Sequence, residues 1–275
     1  MKKIIALFLA LAMIFAFAAC GDKDTPAPSS GTNLDSAVPA QSDMDYVKGK
    51  GTLIVGITNF APMDYPGANG EWIGFDAEMA QAFGAYLGVE VVFQEIDWDA
   101  KVFELDGKTI DVVWNGMTLT DAVKAAMETS KPYCNNAQVV IVNKAVADQY
   151  QTVESLAGLT FAVEAGSAGQ EQAAANNLTY IEVLDQATAL LEVKSNTADA
   201  AIIDALMAGA MVGEGTDYAE LTYTVGLNSE EYGVGFRKGS DLAAELNAFF
   251  AAAYADGSMQ ACAEKYGVQA SLVPQ

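Results

Sequence analysis

The sequence predicts an α/β protein of two lobes facing each other across a cleft. Two observations carry this. Over residues 52–127, short apolar strands alternate with amphipathic helices in a β-α-β-α-β-α pattern, which implies a parallel sheet covered on both faces. A strand at 137–143 then leaves that unit, and a second series of the same kind runs over 160–212. Two lobes joined by extended crossings leave a gap between them, and such gaps are favoured ligand sites.

Residues 1–20 read as a secretory signal: Lys2 and Lys3, an unbroken apolar run over 4–19, then Cys20. The run is slightly short of the ~20 apolar residues a membrane-spanning helix needs. Residues 21–45 are rich in Asp, Pro, Ser and Thr and poor in large apolar side chains. They read as a disordered tether. The rest of the chain, roughly 230 residues, has room for one large domain or two small ones.

In the first lobe, 52–58 (TLIVGIT) is a buried strand, succeeded by a loop through Phe60 and Met63. A helix spans 75–87, with Asp76 placed to start it and Gly88 to stop it. A second strand is expected at 89–94 and a helix at 98–105. The stretch DVVWNGMTLTD, 111–121, reads as a buried strand, a tight polar turn over 115–118, and a helix capped by Thr120 or Asp121. Polar residues at a strand end are where open α/β sheets meet their ligands. The same residues also serve as a plain strand-to-helix connection.

The second lobe is expected to place a strand at 160–163, a Gly-rich turn at 164–169 and a helix to about 176. A strand at 180–184, a helix at 186–194, a strand at 198–203 and a helix at 204–212 come next. A strand at 231–236 and two Ala-rich helices, 242–254 and 258–266, end the chain.

The formal net charge is −22, and no stretch clusters Lys and Arg, which argues against nucleic-acid binding. The acidity keeps the protein soluble and favours cationic solutes. Histidine is absent, which excludes a His-based triad and every His-containing metal site. Nothing calls for a cofactor. Cys134 and Cys262 are either two buried thiols or a disulfide, since sequence sets no distance between them.

Eight segments carry a family resemblance: GTLIVGITNFAPMDY, GFDAEMAQAFGAYLG, IDWDAK, DVVWNGMTLTD, SKPY, LAGLTFAVEAGSAG, ADAAIID and EYGVGFRKGSDL. In this order they resemble the family 3 extracellular solute-binding proteins, which serve ABC importers of polar amino acids. The resemblance implies a periplasmic-binding-protein-like (type II) fold with a hinge and a central ligand cleft. Lobe 1 would hold 46–136 and 230–275, lobe 2 would hold 137–229, and hinges would lie near 133–137 and 230–233. Residues 17–20 (FAAC) resemble a lipobox, implying a lipidated Cys20 and a protein anchored at the outer face of the cytoplasmic membrane. The implied partners are a small amine or amino acid and an ABC permease, for a monomer without enzymatic activity.

Burying a ligand's charges costs several kcal/mol each unless they are paired. By resemblance, Asp204 takes an ammonium, Phe60 and Trp98 form aromatic walls, and Asn115, Gly116 and Thr118 hydrogen-bond the ligand. Ser167, Ala168 and Gly169 open a helix, where free N–H groups favour an anion. Each has an ordinary alternative: Asp204 as a helix cap, Phe60 and Trp98 as core, the glycines as a turn. Two departures stand out. Val123 occupies the slot of the family's carboxylate-clamping arginine, and Glu164 occupies one that is usually basic or polar. Lys124 should point elsewhere, because a helix turns ~100° per residue. Lys101, three residues after Trp98, is either a substitute cation or a solvated surface residue. The expected ligand is thus neutral or cationic rather than acidic. Two rivals share the fold: a cyclohexadienyl dehydratase-like enzyme using Glu164 as an acid, and a surface sensor or adhesion lipoprotein.

Overall fold

The computed structural model describes residues 42–275. Cys20, the expected leader and most of the expected tether lie outside the described residues. Structure begins earlier than expected, with α1 (Asp43–Lys50), so residues 43–45 are helix rather than tether. Local chemistry explains it. The Ser42 hydroxyl accepts from the Asp45 amide at 3.0 Å, and Asp43 pairs with Arg237 at 2.9 Å.

The elements of the first lobe continue as β1 (Thr52–Ile57), the short pair β2 (Tyr65–Pro66) and β3 (Trp72–Ile73), α2 (Phe75–Leu87) and β4 (Glu90–Glu95). A 3-10 turn at Trp98–Ala100 leads into α3 (Lys101–Asp106), then β5 (Val112–Thr118), α4 (Asp121–Ala126), β6 (Glu128–Thr129) and β7 (Cys134–Asn136). The second lobe holds β8 (Gln138–Asn143), β9 (Thr160–Glu164), α5 (Ala168–Ala175), β10 (Thr179–Val183), α6 (Gln186–Lys194), β11 (Ala200–Asp204), α7 (Ala205–Met211) and β12 (Leu221–Gly226). The chain returns through β13 (Glu230–Phe236) and ends in α8 (Leu242–Ala255) and α9 (Ser258–Tyr266).

The first sheet runs β4-β1-β5-β13-β6, with β7 also on β13; the second runs β10-β9-β11-β8-β12. Neither is purely parallel, which corrects the expectation. β13 lies antiparallel to β5, and β8 antiparallel to β11. Both are crossing strands that enter their sheets from the opposite lobe and so run against their neighbours.

Two local readings change. The expected turn at 115–118 is the last part of β5, held in the sheet by Tyr232 opposite Thr118 and Gly233 opposite Met117. Gly116 (φ 55°) sits where the register against β13 shifts, between Gly233 and Gly235. The turn-like residues thus mark an irregularity inside a strand. Asp76 does not cap α2, whose N-cap is Gly74. Its carboxylate turns inward, accepting from the Gly116 amide and the Tyr133 hydroxyl, each at 2.7 Å.

Aromatic packing fixes the first lobe. Trp114 lies edge-on to Phe250 at 5.5 Å, and Tyr133 tilts against Phe250 at 5.6 Å. A Cβ on Gly116 would fall 2.2 Å from the Phe60 ring in a left-handed backbone conformation. Gly116→Ala should therefore cost about 1–3 kcal/mol of stability, read as a lower urea midpoint at unchanged slope.

Candidate functional site

The C-terminal ends of β1 and β5 face the ends of β9 and β11 across a cavity of about 230 Å³. That is below the roughly 300–1,000 Å³ of pockets for drug-sized ligands. Nine residues singled out from sequence line it, namely Phe60, Trp98, Asn115, Gly116, Thr118, Glu164, Ser167, Ala168 and Asp204, while Gly169 does not. Lys101, Gln186 and Glu171 line it as well.

On the first-lobe side most donors are already engaged. The Asn115 amide makes four contacts, to the Thr58 amide, hydroxyl and carbonyl and to Asp64, at 2.8–3.1 Å. This fills a side-chain amide's capacity. The Gly116 N–H is committed to Asp76, and the Thr118 hydroxyl donates to Glu230 at 2.9 Å. The strand end that looked like a ligand-binding loop mainly ties its own lobe together. Phe60 and Trp98 are both nearly buried, and both still form cavity wall. Core and wall are one role here.

The second-lobe side is acidic. Asp204 occupies the N-cap position of α7 but makes no capping bond through its side chain. Its Oδ1 accepts from Asn136 and from the Tyr232 hydroxyl, both at 2.5 Å, and its Oδ2 accepts from Gln186 at 2.5 Å. Burial, then the nearby Glu230, pushes its carboxyl up to about 7. Glu164, at the end of the neighbouring strand, is 3 % exposed, and its Oε1 has no hydrogen-bond partner among the described residues. Burial, then Asp204, raises it to about 8. The Ser167 hydroxyl caps α5 by accepting from Gln170 at 3.1 Å, leaving the Ala168 and Gly169 amides at the helix start.

Lys101 is not a solvated surface residue. It is 8 % exposed, and its Nζ donates to the Trp98 carbonyl at 3.0 Å and, across the cleft, to the Gly166 carbonyl at 2.9 Å. The same ammonium sits 4.8 Å from the Trp98 ring centre. Burial lowers its pKa, opposed by Glu164, Glu171 and Asp99. The lobes also touch at Gly166, where a Cβ would meet the Asp99 backbone at 2.6 Å. Arg237, the chain's single arginine, is spent elsewhere, on Asp43, Asp111 and the Leu105 and Ile110 carbonyls.

Sequence reasoning missed Gln186, whose amide both donates to the Asp204 carboxylate and accepts from the Asp204 N–H. It placed Glu230 only at an expected hinge and missed that its carboxylate gathers Thr118, Asn136 and Gln138 at 2.6–2.9 Å where the chain crosses between lobes. Neither belongs to a motif. Cys134 and Cys262 are both free thiols.

Residues 53–269 match the profile of the bacterial extracellular solute-binding proteins, family 3. The chain is 31% identical over 228 residues to the L-cystine-binding protein TcyJ of Escherichia coli (strain K12), covering 81% of this chain and 85% of that one. It is 28% identical to the arginine-binding extracellular protein ArtP of Bacillus subtilis (strain 168), covering 90% and 91%. Among solved structures, a mutant of ArgBP from T. maritima superposes with a TM-score of 0.77 at 31% identity, covering 82% of this chain and 98% of that one. The ancestral amino acid-binding protein AncCDT-1, a precursor of cyclohexadienyl dehydratase, superposes with a TM-score of 0.75 at 29% identity, covering 82% and 99%. The two-lobed periplasmic-binding fold and the matched sequence agree: the chain belongs to the family 3 bacterial extracellular solute-binding proteins.

Proposed function

We propose that this protein captures a neutral or cationic amino acid or related small amine outside the cell and delivers it to an ABC permease. It does so as a monomer held at the outer face of the membrane by a lipid on Cys20. The observation that carries this is the pair of buried carboxyls, Asp204 and Glu164, on the wall of the cavity between the lobes. Lys101, the one cation lining that cavity among the described residues, is engaged with two carbonyls. Ionising buried carboxyls is costly and Lys101 offsets only part of that cost at Glu164, so a positively charged guest supplies what the site lacks. Relatives named for binding cystine, arginine and histidine support a small nitrogenous ligand.

The lobes would rotate about the crossings between β7 and β8 and between β12 and β13, closing on the ligand. Lys101 spans the closed cleft, so Lys101→Met should weaken binding several-fold and leave the liganded protein less compact by small-angle scattering. Unchanged affinity and compactness would show that this bridge is incidental. A thermal-shift screen tests the proposal itself, because a bound ligand raises apparent stability by mass action. Basic and neutral amino acids and amines should shift the transition upward. Stabilisation by glutamate alone would refute the preference for positive charge.

One observation favours an enzymatic second reading. A carboxyl raised to about 8, as Glu164 is, stays protonated at neutral pH and suits a general acid. Conversion of prephenate or arogenate to an aromatic product would establish it. The expected result is no conversion, since no arginine is available to anchor the substrate's carboxylate.

A further inference from the structure

An amino acid brings a carboxylate as well as an ammonium into its site, and the two ends of this cavity are unequally prepared for them. Acceptors are plentiful. Glu164 Oε1 is buried and unpartnered, and Asp204 stands at the neighbouring strand end with Asn136 and Tyr232 on one oxygen and Gln186 on the other, which leaves lone-pair capacity on the second. Donors for an anion are few. The Asn115 side chain, the Gly116 amide and the Thr118 hydroxyl are each engaged within the protein.

The wall beside α4 is mostly hydrocarbon, formed by Ala122, Val123 and Ala126 with Val102 and Met117 from the same apolar cluster. Lys124, the nearest cation in sequence, is exposed and does not line the cavity. Two amides at the start of α5 remain, with the Thr120 and Ser167 hydroxyls, which only accept from backbone amides, but Glu171 lines the cavity from that same helix and Glu164 precedes it. A carboxylate seated there would meet the like charge of Glu171. Lys101 offers no relief, with two of its three protons on carbonyls and Glu164, Glu171 and Asp99 already its charged neighbours.

Resting on the solute-binding reading, we infer that the cleft is built for a primary amine without a carboxylate: the ammonium lies on Glu164 and Asp204, and the ligand's body lies against the apolar α4 wall. Val123 is the residue that sets this preference, because a side chain donating from its position would reach the carboxylate an amino acid carries.

Calorimetric titration of the intact protein with matched pairs tests it: arginine and agmatine, histidine and histamine, phenylalanine and phenethylamine. In every pair that binds, the amine should be at least about tenfold tighter than its parent amino acid. Val123→Arg should reverse that order, and Glu164→Gln should weaken the amine by about tenfold or more. A parent amino acid binding as tightly as its amine overturns the inference while leaving the solute-binding reading intact. If no member of any pair binds, both fall together.

Discussion

Asp204→Ala should all but abolish ligand binding, at a cost of about 2–5 kcal/mol, a rise in Kd of roughly thirty- to several-thousand-fold. The size comes from burial. Asp204 is 4 % exposed, so the ammonium it would hold loses its water and then has no carboxylate in return. The alanine variant also strips partners from Asn136, Gln186 and Tyr232, so its stability will fall too. Asp204→Asn separates the two effects: it keeps the volume, retains most of the fold's stability and still loses affinity if charge is what matters. Trp98→Ala should cost less, about 0.5–2 kcal/mol, the range for a cation against an aromatic face. Should Trp98→Ala cost more than Asp204→Ala, the guest is held by stacking and not by charge.

The second large effect is on pH. Burial raises Glu164 to about 8 and Asp204 and Asp76 to about 7, and holds Asp64 well above its ordinary value. In the unfolded chain these carboxyls return to about 4. A group raised on folding stabilises the protein below its unfolded pKa, and that stabilisation is lost as pH climbs through the folded pKa. The ligand-free protein should therefore melt at a lower temperature at pH 8 than at pH 5.5. A cationic ligand prefers the ionised carboxyls, so its affinity should move the other way. For one proton displaced, affinity rises up to about tenfold per pH unit below the folded pKa. The thermal shift produced by a fixed ligand concentration should then be larger at pH 8 than at pH 6. Glu164→Gln should flatten the upper part of this dependence. Affinity that is constant from pH 6 to pH 8 would mean that neither carboxyl changes protonation on binding.

How far the chain could be read depended on whether the cause was local. α6 and α9 lie where periodicity and flanking residues place them, and α2 ends at Gly88, whose φ of 76° only glycine adopts readily. β12 was legible as well, since Leu221, Tyr223 and Val225 alternate with Thr222 and Thr224, yet no strand was expected there; Tyr223 within it is exposed. Asp76 looks like a helix cap because carboxylates at helix starts usually are. What turns it inward is a tyrosine 57 residues away, which no window of sequence contains.

The site divides the same way. Strand ends are legible, so the residues on them can be found, while their commitments cannot. Nothing in the pattern around Asn115 announces that Thr58 and Asp64 consume its amide. The burial of Lys101 likewise depends on the Gly166 carbonyl from the opposite lobe. Contacts that cross between lobes are set by tertiary geometry, and they decide which polar groups remain for a ligand.

The most direct measurement is a crystal structure of the protein with the tightest-binding amine from the matched pairs. It should show one molecule in the cavity between the two sheets, its nitrogen at hydrogen-bonding distance from Asp204 and Glu164 and its body beside Val123. A ligand bound outside that cavity, or one presenting a carboxylate rather than a nitrogen to Asp204, would contradict a site built around two buried acids.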